Sequence, residues 1–240
     1  MTLQTRSLFD ESPYQHTFTA RVLAIGELGV ALEQTLFYPT GGGQPGDQGH
    51  LLLPDGSAAT VLGTQRDPLL RSLIWHQLEN PAALQAGQEV QGCLNWERRY
   101  QHMRMHTCLH LLCSIIDAPV TGCSIGAEKS RLDFDLPEST LDKEQITRSL
   151  NELINAALDV RAHELPASEY RRLLELSGNR IPPPMTHGKV RVIDIPGVDL
   201  QPCGGTHVHN TQEIGPVVCD KIEKKSRHNR RLILRFACVS

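Results

Sequence analysis

The sequence predicts an α+β chain in two parts, a β-rich N-terminal domain over residues 1–96 and a mixed domain over 97–240. Three observations carry this. Short apolar or alternating runs, punctuated by Gly, Pro and Asp turns, fill the first part. After about Arg98 the apolar residues recur with a helical period. Two further strand-like runs close the chain as an expected hairpin.

The elements follow in order. Residues 17–24 and 30–36 alternate or run apolar at strand length, and 50–53, 58–62, 73–77 and 89–96 read as further short strands. So many short strands between turns suggest a small barrel or meander. Residues 99–116 carry a helical stripe through Met105, Leu109, Leu112 and Ile116. A strand is expected at 131–136. Asp142, with Gln145 three residues on, is the expected cap of a second helix. That helix would bury Ile146, Leu150, Leu153, Ile154, Ala157 and Leu158. The run Ile181-Pro182-Pro183-Pro184 is incompatible with a helix interior. Strands are expected at 189–195, 216–223 and 231–239.

Composition excludes several classes. Lys and Arg number 24 against 27 Asp and Glu, so the net charge is −3 and no global basic field attracts nucleic acid. Any such binding must come from a local patch. The first ten residues lack the apolar core of a signal peptide, and no apolar run is long enough to span a membrane. Seven cysteines, an odd number without a secretion signal, point to reduced thiols and a cytoplasmic location.

Histidine and cysteine stand at ligand spacing. His106 and His110 are four residues apart on the first helix, so both rings leave one face, about 6 Å apart along the axis. His102 lies one turn earlier on the same stripe. It is about 12 Å from His110 along the axis, too far for all three to share an ion. Periodicity alone does not choose between the pairs 102/106 and 106/110. Far downstream, Cys203-Gly204-Gly205-Thr206-His207 brings a thiolate and an imidazole together around a glycine turn. Two such pairs in a reduced chain suit zinc, a borderline-soft ion without redox chemistry. Asp199 is a candidate partner for one of the ligands. No H-E-x-x-H motif is present, since Thr107 stands where a peptidase would carry its general-base Glu.

Two other features stand out. The glycines of Phe37-Tyr38-Pro39-Thr40-Gly41-Gly42-Gly43-Gln44-Pro45 permit positive φ and close backbone approach, and Gln44 offers one acceptor and two donors. Residues 221–235 hold Lys221, Lys224, Lys225, Arg227, Arg230, Arg231 and Arg235 against the single Glu223. Such a concentration on one expected hairpin suits phosphate contacts.

Four blocks then become recognisable together: the glycine loop, Met105-His106-Thr107-Cys108-Leu109-His110-Leu111-Leu112, Cys203-Gly204-Gly205-Thr206-His207, and Lys221-Ile222-Glu223-Lys224-Lys225. In order and spacing the chain resembles the freestanding alanyl-tRNA editing proteins, the AlaX family, in their medium-length form. It also resembles the editing domain of alanyl-tRNA synthetase. The resemblance implies an N-terminal β-barrel followed by an α/β sandwich shared with threonyl-tRNA synthetases. It implies one zinc ion on His106, His110, Cys203 and His207, which leaves His102 outside. It places Gln44 in an editing pocket, with Thr40, Gly41, Gly42 and Gly43 at the substrate. It implies hydrolysis of mischarged alanine tRNA, seryl or glycyl, with tRNA as partner and no obligate protein partner. Thr121, in Val120-Thr121-Gly122-Cys123-Ser124, is the candidate that senses the serine hydroxyl, with Thr40 as runner-up. The alternative is a tRNA-binding module whose zinc is structural.

Overall fold

The computed structural model of the chain describes residues 3–80, 84–137, 141–177 and 188–237. The proline run at 181–184, Cys238 and the last residues of the expected final strand lie outside them. The chain divides into two compact units, Met1–His102 and Met103–Ser240.

The first unit is a closed barrel. A two-residue strand β1 (Arg6–Ser7) and a single helical turn α1 (Leu8–Glu11) lead into β2 (Thr17–Gly26), β3 (Gly29–Leu32), β4 (Gln34–Thr35), β5 (Gly49–Leu52), β6 (Ala58–Arg66), β7 (Ile74–Leu78) and β8 (Glu89–Leu94). The barrel order is β2-β3-β7-β6-β5-β8, and all of its ladders are antiparallel. Alternation explains the closure. Phe18, Ala20 and Val22 of β2 point inward at every second position and meet Val30, Leu32, Leu51, Val61, Val90 and Leu94 in one core. Phe18 pairs with Gly92, and its ring lies where any Cβ at residue 92 would sit. The run expected as one strand at 30–36 is two. The β2–β3 register ends at Leu32, Glu33 N still donates to Arg21 O of β2 at 2.9 Å, and Gln34–Thr35 pairs in parallel with Arg6–Ser7.

Helix α2 (Trp96–Ile115) begins three residues before the periodicity suggests. Asn95 ends the preceding strand early and caps the helix, its side chain accepting from Arg98 N at 3.2 Å. The helix passes from the first unit into the second. Met103 and the whole stretch 105–112 are buried, so the expected stripe is the most apolar part of a helix covered nearly all round.

Among the described residues the second unit holds two antiparallel sheets. The larger has the order β14-β15-β10-β9 and the smaller β11-β12-β13. Their strands are β9 (Val120–Ser124), β10 (Lys129–Asp135), β11 (Arg161–Pro166), β12 (Lys189–Ile195), β13 (Asp199–Pro202), β14 (Val217–Lys224) and β15 (Asn229–Phe236). Helix α3 (Lys143–Asn155) starts at Asp142, whose carboxylate accepts from Glu144 N and Gln145 N. It buries Ile146, Leu150 and Ile154, and it grips β14 through a paired amide contact between Asn151 and the Val217 backbone. Helix α4 (Ala167–Ser177) sets Ala167 and Tyr170 against Val190 and Val192 of the smaller sheet. Strands β9 and β11 and helix α4 are absent from the periodicity reading. No helix among the described residues is long and apolar enough to cross a membrane.

Candidate metal centre

Helix α2 presents His106 and His110 one turn apart, with ring centroids separated by 5.5 Å. The turn after β13 presents Cys203 and His207, with the ring of His207 4.2 Å from His106 and 4.8 Å from His110. The four candidate ligand atoms all lie within 4.8 Å of one another. Cys203 Sγ is 3.3 Å from Nε2 of His106 and 3.3 Å from Nε2 of His207. A tetrahedral zinc ion with Zn–S of about 2.3 Å and Zn–N of about 2.0–2.1 Å would separate sulfur from nitrogen by about 3.5 Å. Both the donor set and its spacing therefore fit that ion. His102 is buried one turn earlier and is not part of the group.

The second ring nitrogens of His110 and His207 are also engaged. His110 Nδ1 is 2.8 Å from Asp199 Oδ2, and Gln201 Nε2 donates to the other Asp199 oxygen at 2.7 Å. His207 Nδ1 is 3.1 Å from Thr107 Oγ1. Both contacts leave Nε2 facing the cluster, as in histidines that bind a metal through one nitrogen while an oxygen holds the other.

The electrostatics separate Cys203 from the other thiols. Burial alone would raise the Cys203 thiol, but His106 and His207 outweigh it and hold the group well below the ordinary cysteine value. Burial pushes Cys108 up to about 12, Cys113 to about 12 and Cys123 to about 11, so these stay protonated. Burial and the neighbouring His106 hold His207 well below the usual imidazole value, hence neutral. Burial opposes a charge on His110, yet Asp199 and Cys203 together push it up to about 10.

The glycine loop belongs to the barrel unit. Gly41 and Gln44 exchange both backbone hydrogen bonds, at 3.0 and 2.9 Å. The two residues between them, Gly42 and Gly43, have φ of 57° and 83°. Two successive left-handed residues are what a tight hairpin turn of this kind demands, and glycine meets that demand without strain. Gln44 is fully buried, while Thr40, Gly42 and Gly43 are exposed. The loop is closed at its neck. Asp47 N donates to Tyr38 O, Tyr38 N donates to Asp47 Oδ2, and the buried guanidinium of Arg99 grips that same carboxylate. Arg98 adds a bond to Gly46 O at 3.0 Å. None of these long-range partners is signalled by local sequence.

Thr121 lies in a bulge of β9. It is exposed, donates to Asp133 O at 3.1 Å and accepts from Asn229 Nδ2 at 2.9 Å. Cys123, two residues along that strand, is raised by burial and then by the Cys203 thiolate.

The basic hairpin of β14 and β15 sorts into two kinds of cation. Lys221 and Lys225 share Glu223, Arg231 is bidentate on Asp133, and Arg235 pairs with Asp220. Arg230 is buried and donates to Ser226 O and Pro137 O. Lys224 and Arg227 are exposed and form no ion pair among the described residues. Arg104 is structural: it donates to Ile214 O and lies over the Phe236 ring.

The chain is similar to known proteins along nearly its whole length. The family described as "Threonyl and Alanyl tRNA synthetase second additional domain" matches residues 190–233, and "tRNA synthetases class II (A)" matches residues 3–98. An alanyl-tRNA editing protein AlaX-M from Methanosarcina barkeri is 34% identical, over 95% of this chain and 97% of its own length. The chain belongs to the AlaX-M family. The AlaX-M protein of Saccharolobus solfataricus is 32% identical over 95% of this chain and 97% of its own length. An alanine-tRNA ligase from Pyrococcus furiosus is 35% identical over 98% of this chain, which corresponds to only 26% of the ligase. This AlaX-M member therefore matches the editing proteins end to end and the ligase as one segment of a larger enzyme.

Proposed function

We propose that this chain removes a wrongly attached amino acid from alanine tRNA, acting on seryl-tRNA(Ala) and on glycyl-tRNA(Ala). The observation that carries the reading is the convergence of His106, His110, Cys203 and His207 in a chain that aligns with AlaX-M proteins along nearly its whole length. Water adds to the ester carbonyl, the bond to the terminal ribose oxygen breaks, and the products are free amino acid and tRNA with its hydroxyl restored. Aminoacyl esters are labile, so no ATP is required.

The need is physical. A pocket built for alanine cannot strongly reject an amino acid that adds one hydroxyl or lacks one methyl, so a second sieve must correct the error. Zinc held by the four residues supplies a fixed positive charge and Lewis acidity. The protein's own groups supply the rest. Asp199 and Thr107 fix the faces of His110 and His207. Thr40, Gly41, Gly42 and Gly43 are assigned to substrate contact, and Gln44 to the editing pocket. The basic hairpin holds tRNA phosphates through Lys221, Lys224, Lys225 and Arg227, with Arg230 and Arg231 shaping the hairpin.

Four protein ligands also resemble a closed structural site. That observation favours the second reading, a tRNA-binding module with a structural zinc. A panel of seryl-, glycyl- and alanyl-tRNA(Ala) incubated with zinc-loaded protein separates the two. Release of serine or glycine with alanine spared supports editing. Tight tRNA binding without release of any amino acid establishes the binding module instead.

A further inference from the structure

We propose that Thr107 is a positioning residue that sets the tautomer of His207 and aims its Nε2 at the metal cluster. This rests on the reading that the four residues hold zinc. Thr107 sits between the two histidines of α2 and is fully buried. Its hydroxyl donates to Met103 O at 3.0 Å, one turn back along the helix. A threonine hydroxyl has one proton and two acceptor lone pairs. With the proton directed to Met103, every other contact must be one in which Oγ1 accepts.

Two such contacts exist. Val208 N donates to Oγ1 at 3.3 Å, and His207 Nδ1 lies 3.1 Å from it. Nδ1 must therefore carry the imidazole proton. A neutral imidazole protonated on Nδ1 keeps its lone pair on Nε2. That nitrogen is the one 3.3 Å from Cys203 Sγ. The opposite tautomer would turn an N–H toward the sulfur and remove His207 from the donor set.

Thr107 thus lets α2, which carries His106 and His110, also organise the turn that carries Cys203 and His207. It does so without charge, whereas Asp199 orients His110 with a carboxylate. Valine keeps the shape of threonine and deletes the hydroxyl, which leaves His207 Nδ1–H and Val208 N–H with no acceptor in a dry site. Serine restores the hydroxyl.

The test uses the full chain, zinc-loaded and after chelation. Zinc affinity is measured by competition with a chromophoric chelator in wild type, Thr107→Val and Thr107→Ser, and the His207 ring nitrogens are read by long-range ¹H–¹⁵N spectra. Thr107→Val should weaken zinc binding 10- to 100-fold, the range for outer partners of metal ligands. Thr107→Ser should return it to within a few-fold of wild type. The zinc-loaded wild-type spectrum should show the proton on Nδ1 of His207 and the metal on Nε2. Zinc bonded to Nδ1 of His207, or a folded Thr107→Val chain with unchanged zinc affinity, overturns the proposal. If Thr107→Val does not fold, the serine variant and the wild-type tautomer decide it. Failure of the wild type to bind zinc would count against the metal reading, whereas normal zinc binding by a folded Thr107→Val chain would count against the role of Thr107 alone.

Discussion

His110 and Asp199 form a buried pair, with Nδ1 2.8 Å from Oδ2. The carboxylate makes His110 a stronger base and fixes which nitrogen faces Cys203. Asp199→Asn keeps the shape and removes the charge, so zinc affinity should fall 10- to 100-fold. The pH dependence has a definite sign. Without an ion, His110 is pushed up to about 10 and holds a proton at neutral pH, while Cys203 is already thiolate and His207 already neutral. Zinc binding at pH 7 should therefore displace about one proton, and affinity should rise with pH up to about 10. Calorimetry in buffers of different ionisation enthalpy counts that proton. A count unchanged by Asp199→Asn would show that His110 is not its source.

The ligand set has its own contrast. Cys203→Ala should lose stoichiometric zinc, whereas His102→Ala should keep it, since His102 lies outside the convergent group. Metal analysis of the purified variants decides this, and full retention in Cys203→Ala would refute the assignment.

The buried ion pair of Arg99 and Asp47 closes the neck of the glycine loop. Arg99→Met should destabilise the chain by about 3–5 kcal/mol, because it strands a carboxylate in the interior. Adding Asp47→Leu should recover much of that loss. Urea unfolding of both variants measures it. A single variant as stable as wild type would mean that water replaces Arg99 at no penalty.

What the sequence revealed depended on range. The i, i+4 spacing of His106 and His110, the Asp142 cap and the inward alternation of β2 are local patterns, and each is visible in the chain. The pair Asp47–Arg99 spans 52 positions and leaves no local trace. Strand β9 reads Val-Thr-Gly-Cys-Ser and β11 reads Arg-Ala-His-Glu-Leu-Pro, too polar to signal a strand by periodicity. Thr107 stands out in the sequence only as the residue that is not Glu; its role depends on His207, 100 positions away. The hairpin cations are legible, but the acids that engage Arg231 and Arg235 are not, because Asp133 comes from another strand and Asp220 from across the hairpin.

That sorting reshapes the tRNA experiment. Lys224 and Arg227 are exposed without ion-pair partners among the described residues, so replacing both with Ala should weaken tRNA binding and leave stability within about 0.5 kcal/mol. The slope of log affinity against log salt should drop by about one for each phosphate-binding cation replaced. Arg230→Ala should instead destabilise the fold, since its buried guanidinium ties Ser226 O of the hairpin turn to Pro137 O. An unchanged salt slope in the Lys224, Arg227 double variant would make the hairpin an ordinary solvated face.

The last prediction concerns the discrimination of serine from alanine. Correctly charged alanyl tRNA far outnumbers the errors, so an editing site must spare it. The substrates differ by one hydroxyl, and Thr121 is proposed as its sensor. Thr121 spends its proton on Asp133 O and one lone pair on Asn229 Nδ2. One lone pair remains. Held this way, the hydroxyl can accept a hydrogen bond but has none to give, so it would read serine as a donor. Alanine and glycine offer no donor there. Thr121→Val keeps the shape and removes the acceptor, and the seryl-over-alanyl ratio of kcat/KM should fall by about 1–3 kcal/mol, the penalty for an unmade hydrogen bond once substrate covers the site. Glycyl-tRNA(Ala) should be deacylated at an unchanged rate, since its side chain never uses the acceptor. Asn229→Ala frees the Thr121 rotor and should reduce the same ratio by less. Zinc content and melting temperature should match wild type in both variants. If the seryl-to-alanyl ratio survives in Thr121→Val, another group reads the hydroxyl, and Thr40, whose Oγ1 accepts from Gly46 N beside the glycine turn, becomes the residue to replace next.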